Sequence, residues 1–340
     1  MPSAIRLAVG RTFDGIVNAK LAVFVFFVLS GFVLSQRYFS IAREDPEAAI
    51  RYLRAASLRR YPRLALPVLA SVLFAYLLHR EGWMLNRELA QVTGARLWIA
   101  AFYHFPADIW DAVRSALWDT FFHFDMASSY NTVLWTLEKE FFGSLFVFAA
   151  LALIGTARVR WAIYGLATAA LVALKLHWLN AFVFGLALCD LTTTSASSLR
   201  APGPATAWLR SSAPLSIAIA LLVVWISGTR HLDGWLRWAL ASTLVAGTLF
   251  FEPWQRFLSV RACIALGRIS FGLYLLHLPL ICSLGGAVYL ATVTGVGQFT
   301  AAHLTAAVVV GAGLLLSWAF TDFIDQPSVR ASKTLSARWL

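Results

Sequence analysis

Charge is scarce in this sequence. Asp, Glu, Lys and Arg make up 13% of its 340 residues, whereas hydrophobic residues make up 59%. A soluble domain carries about 25% charged residues. With a mean hydropathy of +0.70, the chain has too little polar surface for an ordinary soluble globule. Cysteine is also scarce. Cys189, Cys263 and Cys282 are the full complement, each in or beside an apolar run. Their spacing offers neither a metal site nor a disulfide framework, so no metal is expected. Acids number 17 against 28 Lys and Arg, giving a net charge of +11. That excess does not point to nucleic acid as a partner. The arginines stand at the ends of apolar runs, where basic residues orient membrane helices.

What the sequence has in quantity is long apolar runs. A bilayer-spanning helix needs about 20 consecutive apolar residues. About nine runs approach that length: 17–35, 64–78, 132–154, 161–175, 178–191, 214–228, 235–251, 269–290 and 303–321. The expected fold is therefore all-α, a polytopic transmembrane bundle in the cell membrane with lipids as neighbours. Residues 1–325 form the membrane domain and 326–340 a tail. The 14 tryptophans fit interfacial belts, with Trp83, Trp98, Trp110, Trp178 and Trp235 near run ends. Basic residues of 36–63, Arg158 and Arg160, Arg200 and Arg210, Arg256, Arg261 and Arg268, and the tail fall on one side. By the positive-inside rule that side, with the C-terminus, is cytoplasmic. The opposite side holds the longest connection, 79–131. It is rich in Trp, Phe and His and reads as amphipathic helices lying at the outer interface. Residues 195–212 read as a cytoplasmic linker.

Polar groups inside or at the mouths of apolar runs carry the candidate chemistry, because each is costly there unless paired or hydrated. Ser30-Gly31 interrupts the first run, either as a packing notch or as the wall of a substrate tunnel. Arg60 and Arg63 share a helix face at the inner mouth of the second run. They read as lipid anchors or as a phosphate clamp, since the guanidinium fork matches phosphate oxygens. Asn131, Trp135 and Glu140 enter the third run from its outer end, beside Glu138 and Lys139. This group reads as an interfacial ion pair between Lys139 and a neighbouring acid, or as a Trp, Asn and Glu set that hydrogen-bonds a polar acceptor. His277 lies near mid-run in the eighth, with Tyr274 one turn before it.

These strings together resemble the integral membrane acyltransferase family 3, which includes sugar O-acetylases. Phe26–Phe32 is similar to the family's FFxxSGF element. Arg60, Arg63 and Pro67 resemble its arginine pair, and Trp135-Thr136-Leu137-Glu138-Lys139-Glu140 its W[ST]LxxE element. Ile269 to Pro279 resembles ISYxxYLxH-P, and Asp325-Gln326-Pro327 the closing acidic-x-Pro element. The resemblance implies transfer of an acyl group, most often acetyl, from acyl-CoA as co-substrate to a hydroxyl of a carbohydrate or other envelope acceptor. It implies Arg60 and Arg63 as donor-binding residues and Glu140 and His277 as catalytic ones. Ser30, Gly31, Asn131, Trp135 and Tyr274 would line the acceptor site or tunnel. The family also opens with a helix bearing a basic residue and a histidine. The resemblance and the loop charges both predict that helix ahead of Met1, as a tenth span. Two other readings stand beside the enzyme: an N-terminally shortened, inactive homologue, and a transporter or flippase for a polar envelope substrate.

Overall fold

The structure, a computed structural model, describes residues 19–94, 99–197, 204–227 and 233–337. Val17, Trp98, Arg200, Gly228, Arg338 and the centre of the 195–212 linker lie outside the described residues. No strand occurs among the described residues, and each apolar run is helical over most of its described length. In chain order the helices are α1 (Ala19–Ala42), α2 (Pro46–Arg80), α3 (Asn86–Thr93), α4 (Ile109–Arg114), α5 (Trp135–Ile154), α6 (Arg160–Ala173) and α7 (His177–Ser197). They continue as α8 (Pro204–Ser227), α9 (Gly234–Phe250), α10 (Glu252–Leu258), α11 (Arg261–Leu280), α12 (Gly286–Phe320) and α13 (Gln326–Ala337). Among the described residues, three stretches, Ala19–Ala42, Pro46–Arg80 and Arg261–Leu335, have the length and apolarity to cross a membrane. α6, at 14 residues, is only about 21 Å long and falls short of a ~30 Å hydrocarbon core.

The arginine-rich stretch 36–63, expected to be a loop, is almost wholly helical. Asp45, Pro46 and Glu47 explain why α2 starts so early. The Asp45 carboxylate accepts the Ala48 N–H at 2.8 Å, Pro46 needs no N–H partner at the first helical position, and Glu47 suits the first turn. Arginine is itself a good helix former.

The chain divides into two compact units. One comprises residues 1–57 and 142–260, the other 58–141 and 261–340. In the first unit, α1 and α7 approach backbone to backbone. A Cβ on Gly31 would stand 2.3 Å from the Phe182 carbonyl oxygen, and one on Gly185 would stand 2.0 Å from that of Val28. Phe27 and Phe182 stack beside this seam at 5.1 Å. The Ser30-Gly31 position is thus a packing notch, and the space beside Gly31 is filled by the Phe182 backbone rather than open as a tunnel wall. The same unit holds an ion pair that the sequence reading passed over. Arg160 grips Asp190 with Nε on Oδ2 at 2.5 Å and Nη2 on Oδ1 at 3.2 Å, and the Asp190 side chain is 2% exposed.

In the second unit, α11 and the later part of α12 form an antiparallel hairpin. Gly272 faces Ser317 and Phe320, and Gly285 faces Val309 and Thr305. The chain reverses at Gly297, whose φ of 79° and ψ of 162° lie where only glycine is at ease. Wide π-helical turns follow α11 and α12, at Ile281–Gly285 and Thr321–Asp325. Such turns release backbone groups for other partners. The Leu85 N–H takes the Cys282 carbonyl at 2.8 Å. The segment set apart as a tail begins with α13, where Ser328 and Ser332 are buried.

The described residues of the 79–131 connection pack within this unit through specific hydrogen bonds. Buried Asn86 donates from Nδ2 to the carbonyls of Ile99 (3.1 Å) and Phe102 (2.9 Å). The Tyr130 hydroxyl clamps Asp108, donating to its carbonyl at 3.0 Å and accepting its N–H at 2.9 Å. Asp108 in turn caps α4 through Trp110 and Asp111. Tyr103, held at a φ of 59°, donates its hydroxyl to the Tyr130 carbonyl at 3.0 Å. Burial, with Cys282 beside it, pushes the Tyr103 phenol well above the usual tyrosine range, so it keeps its proton as a donor.

Candidate active site

The motif residues after Phe32 all fall in the second unit, on four stretches far apart in sequence. α2 contributes Arg60 and Arg63. The Thr132–Leu134 turn and the start of α5 contribute Thr136 and Glu140, preceded by Asn131. α11 contributes Phe271, Tyr274 and His277, and the turn into α13 contributes Asp325 and Ser328.

Two ion pairs lie at the centre. Arg60 donates from Nη2 to Glu140 Oε1, with side-chain exposures of 15% and 4%. Arg63 donates from Nη1 to Asp325 Oδ1 at 2.7 Å and approaches Ser328 Oγ at 3.4 Å. The Arg63 guanidinium sits 5.8 Å from the centre of the Phe271 ring, a cation–π distance. Neither arginine points outward as a free lipid anchor. Four charges of net zero are buried together, which is how an apolar interior tolerates them. The sequence reading placed Arg60 at an inner mouth and Glu140 at an outer one. Their direct contact puts them at one depth, and that separation is withdrawn.

Asn131 and Tyr274 are wired to the same frame. Pro279 lies inside α11 and has no N–H for the Leu275 carbonyl four residues earlier. Asn131 Nδ2 supplies that bond at 2.7 Å and also reaches Ser71 Oγ at 2.9 Å. Ser71 Oγ itself reaches the Leu275 carbonyl at 3.5 Å. Asn131 is fully buried, and its Oδ1 lacks a partner. The Tyr274 hydroxyl donates to the Val133 carbonyl, so it accepts from Thr136 Oγ1. Trp135 lies under Lys139, whose ammonium is 5.3 Å from its ring centre. The ion pair foreseen between Lys139 and a neighbouring acid is replaced by this stacking.

His277 has a defined tautomer. Its Nδ1 lies 2.8 Å from the Tyr274 carbonyl, and a carbonyl only accepts. Nδ1 therefore carries a proton, and the neutral form of this ring has its lone pair at Nε2. A hydroxyl substrate needs a base of this form. An apolar hollow of about 270 Å³ is lined by Leu276, next to His277, and by Ile324, next to Asp325, together with Phe74 and Phe320. Among the described residues, no three His, Cys, Asp or Glu side chains gather as a metal site.

Sequence reasoning missed Ser71, Thr136 and the pairing of Asp325 with Arg63. Pro279 was the available signal for the first, since a proline inside a helix announces a carbonyl in need of a donor. Thr136 and Asp325 stood inside the quoted motifs without a partner assigned.

The family described as "Acyltransferase domain" matches residues 3–322. An O-acetyltransferase, PaAT-1 of Phomopsis amygdali, is 25% identical over 380 residues, covering 96% of this chain and 76% of that protein. No solved structure matches significantly.

Proposed function

Because the chain belongs to this acyltransferase family and is an O-acyltransferase of groups other than aminoacyl, we propose that its donor is an acyl-CoA, most simply acetyl-CoA. The acceptor in this reading is a hydroxyl of a carbohydrate or other envelope molecule. The observation that carries it is the convergence of the Arg60–Glu140 and Arg63–Asp325 pairs in the unit whose helix α11 also carries His277, its Nδ1 on the Tyr274 carbonyl.

Each residue has a part in the proposal. Arg63, the more exposed of the two arginines at 28%, exchanges its carboxylate for a donor phosphate, which binds the same fork. Arg60 stays with Glu140 and holds that carboxylate in place. His277 Nε2 removes the proton as the acceptor hydroxyl attacks the thioester carbonyl. The tetrahedral intermediate then expels the CoA thiolate, and the proton leaves with it as CoA thiol. The apolar hollow beside Leu276 takes the uncharged arm of the donor. The enzyme sits in the cell membrane as a multi-pass protein with its C-terminus in the cytoplasm, a placement supported by the positive residues of the loops.

The test uses the full chain in detergent or nanodiscs with labelled acetyl-CoA. Arg63→Ala should weaken acetyl-CoA binding about 10- to 100-fold, the worth of one charge-assisted bond, with a fall in the thermal midpoint no larger than that of Asp325→Ala, since the Asp325 carboxylate loses its partner. His277→Gln should lower kcat about 10²- to 10⁴-fold and leave acetyl-CoA binding intact. Unchanged binding in Arg63→Ala would remove the donor assignment, and unchanged kcat in His277→Gln would remove the base.

A further inference from the structure

The first unit contains a trough of about 350 Å³ between α8 and α9, closed on one side by Phe184 of α7. Its lining on α9 runs from Trp238 to Phe250, 12 residues or about 18 Å of helix, so the space is elongated. Among the described residues, no ionisable side chain lines it. Most of its hydroxyls are satisfied within their own helices. Ser216 donates to the Ala213 carbonyl and Thr243 to that of Ala239, each at 2.9 Å.

Two lining groups are different. Ser242, 4% exposed, has no partner for Oγ, and Trp238 has none for its buried Nε1. They stand one turn apart on the same face of α9. The polar deficit continues along this seam. Asn180, one turn before Phe184 on α7, is fully buried with neither Oδ1 nor Nδ2 paired, and His177 Nδ1 is likewise unpaired. His177 also abuts Gly234, one turn before Trp238. Buried polar atoms are rarely left unpaired, and a concentration of them beside an elongated cavity calls for an occupant that supplies the missing bonds.

We propose that this trough binds a long-chain amphiphile with an uncharged oxygen head, the oxygen at Trp238 Nε1 and Ser242 Oγ and the hydrocarbon running towards Phe250. The Trp238 N–H only donates, so the head must accept. The described lining carries no cation, so a neutral head fits it better than a phosphate or carboxylate, which would be buried against it without a counter-charge. The size falls in the range of small-molecule sites. A lipid alcohol and the ester group of a neutral lipid share this chemistry.

The experiment is photolabelling of the full chain in nanodiscs with three diazirine probes of equal chain length: a fatty alcohol, a monoacylglycerol ester and a plain hydrocarbon. The alcohol or the ester should label peptides of α8 and α9 and be displaced by excess unlabelled dodecanol or monoacylglycerol, and whichever labels more strongly identifies the source of the head. Trp238→Phe and Ser242→Ala together should reduce labelling about fivefold or more, as loss of one or two neutral hydrogen bonds implies. Ala246→Leu, which keeps both polar side chains and fills the trough one turn beyond Ser242, should reduce it as well. Equal labelling by the hydrocarbon, or undiminished labelling of the variants, would leave only buried water at these atoms and overturn the proposal. The outcome is independent of acetyl-CoA binding.

Discussion

The Arg160–Asp190 pair of the first unit and the two arginine–carboxylate pairs of the second use the same groups to different degrees of closure. Arg160 meets both oxygens of Asp190 with two nitrogens, the two-pronged geometry that holds a guanidinium most firmly. Arg63 uses Nη1 alone on Asp325, and Arg60 leaves its buried Nε without a partner. A pair closed on both sides acts as a structural tie. A pair that keeps donors in reserve can take a second anion without first losing the whole bond. The contrast separates stability from binding, and variants on the two sides should divide accordingly.

The largest effect belongs to the closed pair. Asp190→Ala leaves the Arg160 charge without its partner in an apolar unit. It should cost about 3–5 kcal/mol, read as a large fall in the thermal midpoint in detergent. Asp325→Ala, beside the more exposed Arg63, should lower the midpoint less while changing acetyl-CoA affinity. If the two variants lose equal stability and neither alters binding, the distinction between tie and site fails.

Next comes Gly31→Ala. The new methyl would lie within 2.9 Å of both the carbonyl oxygen and the Cα of Phe182, and backbone cannot step aside as a flexible side chain can. A loss near the upper end of about 1–3 kcal/mol is expected, measured by denaturation of the variant. A stable Gly31→Ala with altered acceptor selectivity would instead restore the tunnel reading of this notch.

Asn131→Ala tests the second unit by the same logic at a hydrogen bond. It leaves the Leu275 carbonyl with only the 3.5 Å contact from Ser71, at a cost of about 1–3 kcal/mol. A paired Pro279→Ala should recover part of that loss, because it returns the helical N–H to Leu275. Absence of any recovery in the double variant would show that Asn131 acts on something other than this carbonyl.

These three sites also mark what the sequence disclosed. The apolar runs located the helices, because uniform burial in lipid or protein writes itself as composition. The Gly31 notch was legible as one of two readings, and the geometry chose between them. Asp190 was visible as a lone acid in an apolar run, yet its partner was not, since Arg160 looked like one more loop-end charge. The meeting of Arg60 with Glu140 was hidden for a related reason. Loop charges assign ends to a side, whereas α2 extends 14 residues beyond Arg60 towards its N-terminus, so the run boundary misjudged the depth of that residue. The π turns that precede Gly286 and Gln326 leave no periodic trace, because one extra residue per turn is lost in the scatter of an all-apolar pattern.

The smallest expected effect lies at the exposed end of the second unit and depends on pH. The Asp125 carboxylate accepts the Ala127 N–H at 3.2 Å and the Ser128 hydroxyl at 2.9 Å. These bonds, the Ala127 one foremost, hold its carboxyl below the usual aspartate range. A depressed folded value means the turn gains stability above the unfolded pKa, about 3.9, and loses it as pH falls through the folded value. Amide exchange at Ala127 and Ser128 should therefore be slowed relative to Asp125→Asn at neutral pH, with the difference closing below about pH 4. The variant's own protection should show no such step. A difference that persists unchanged into acid would mean the side chain holds this turn by shape and not by charge, and the exposed end of the unit would then follow the same rule as its buried hydrogen bonds.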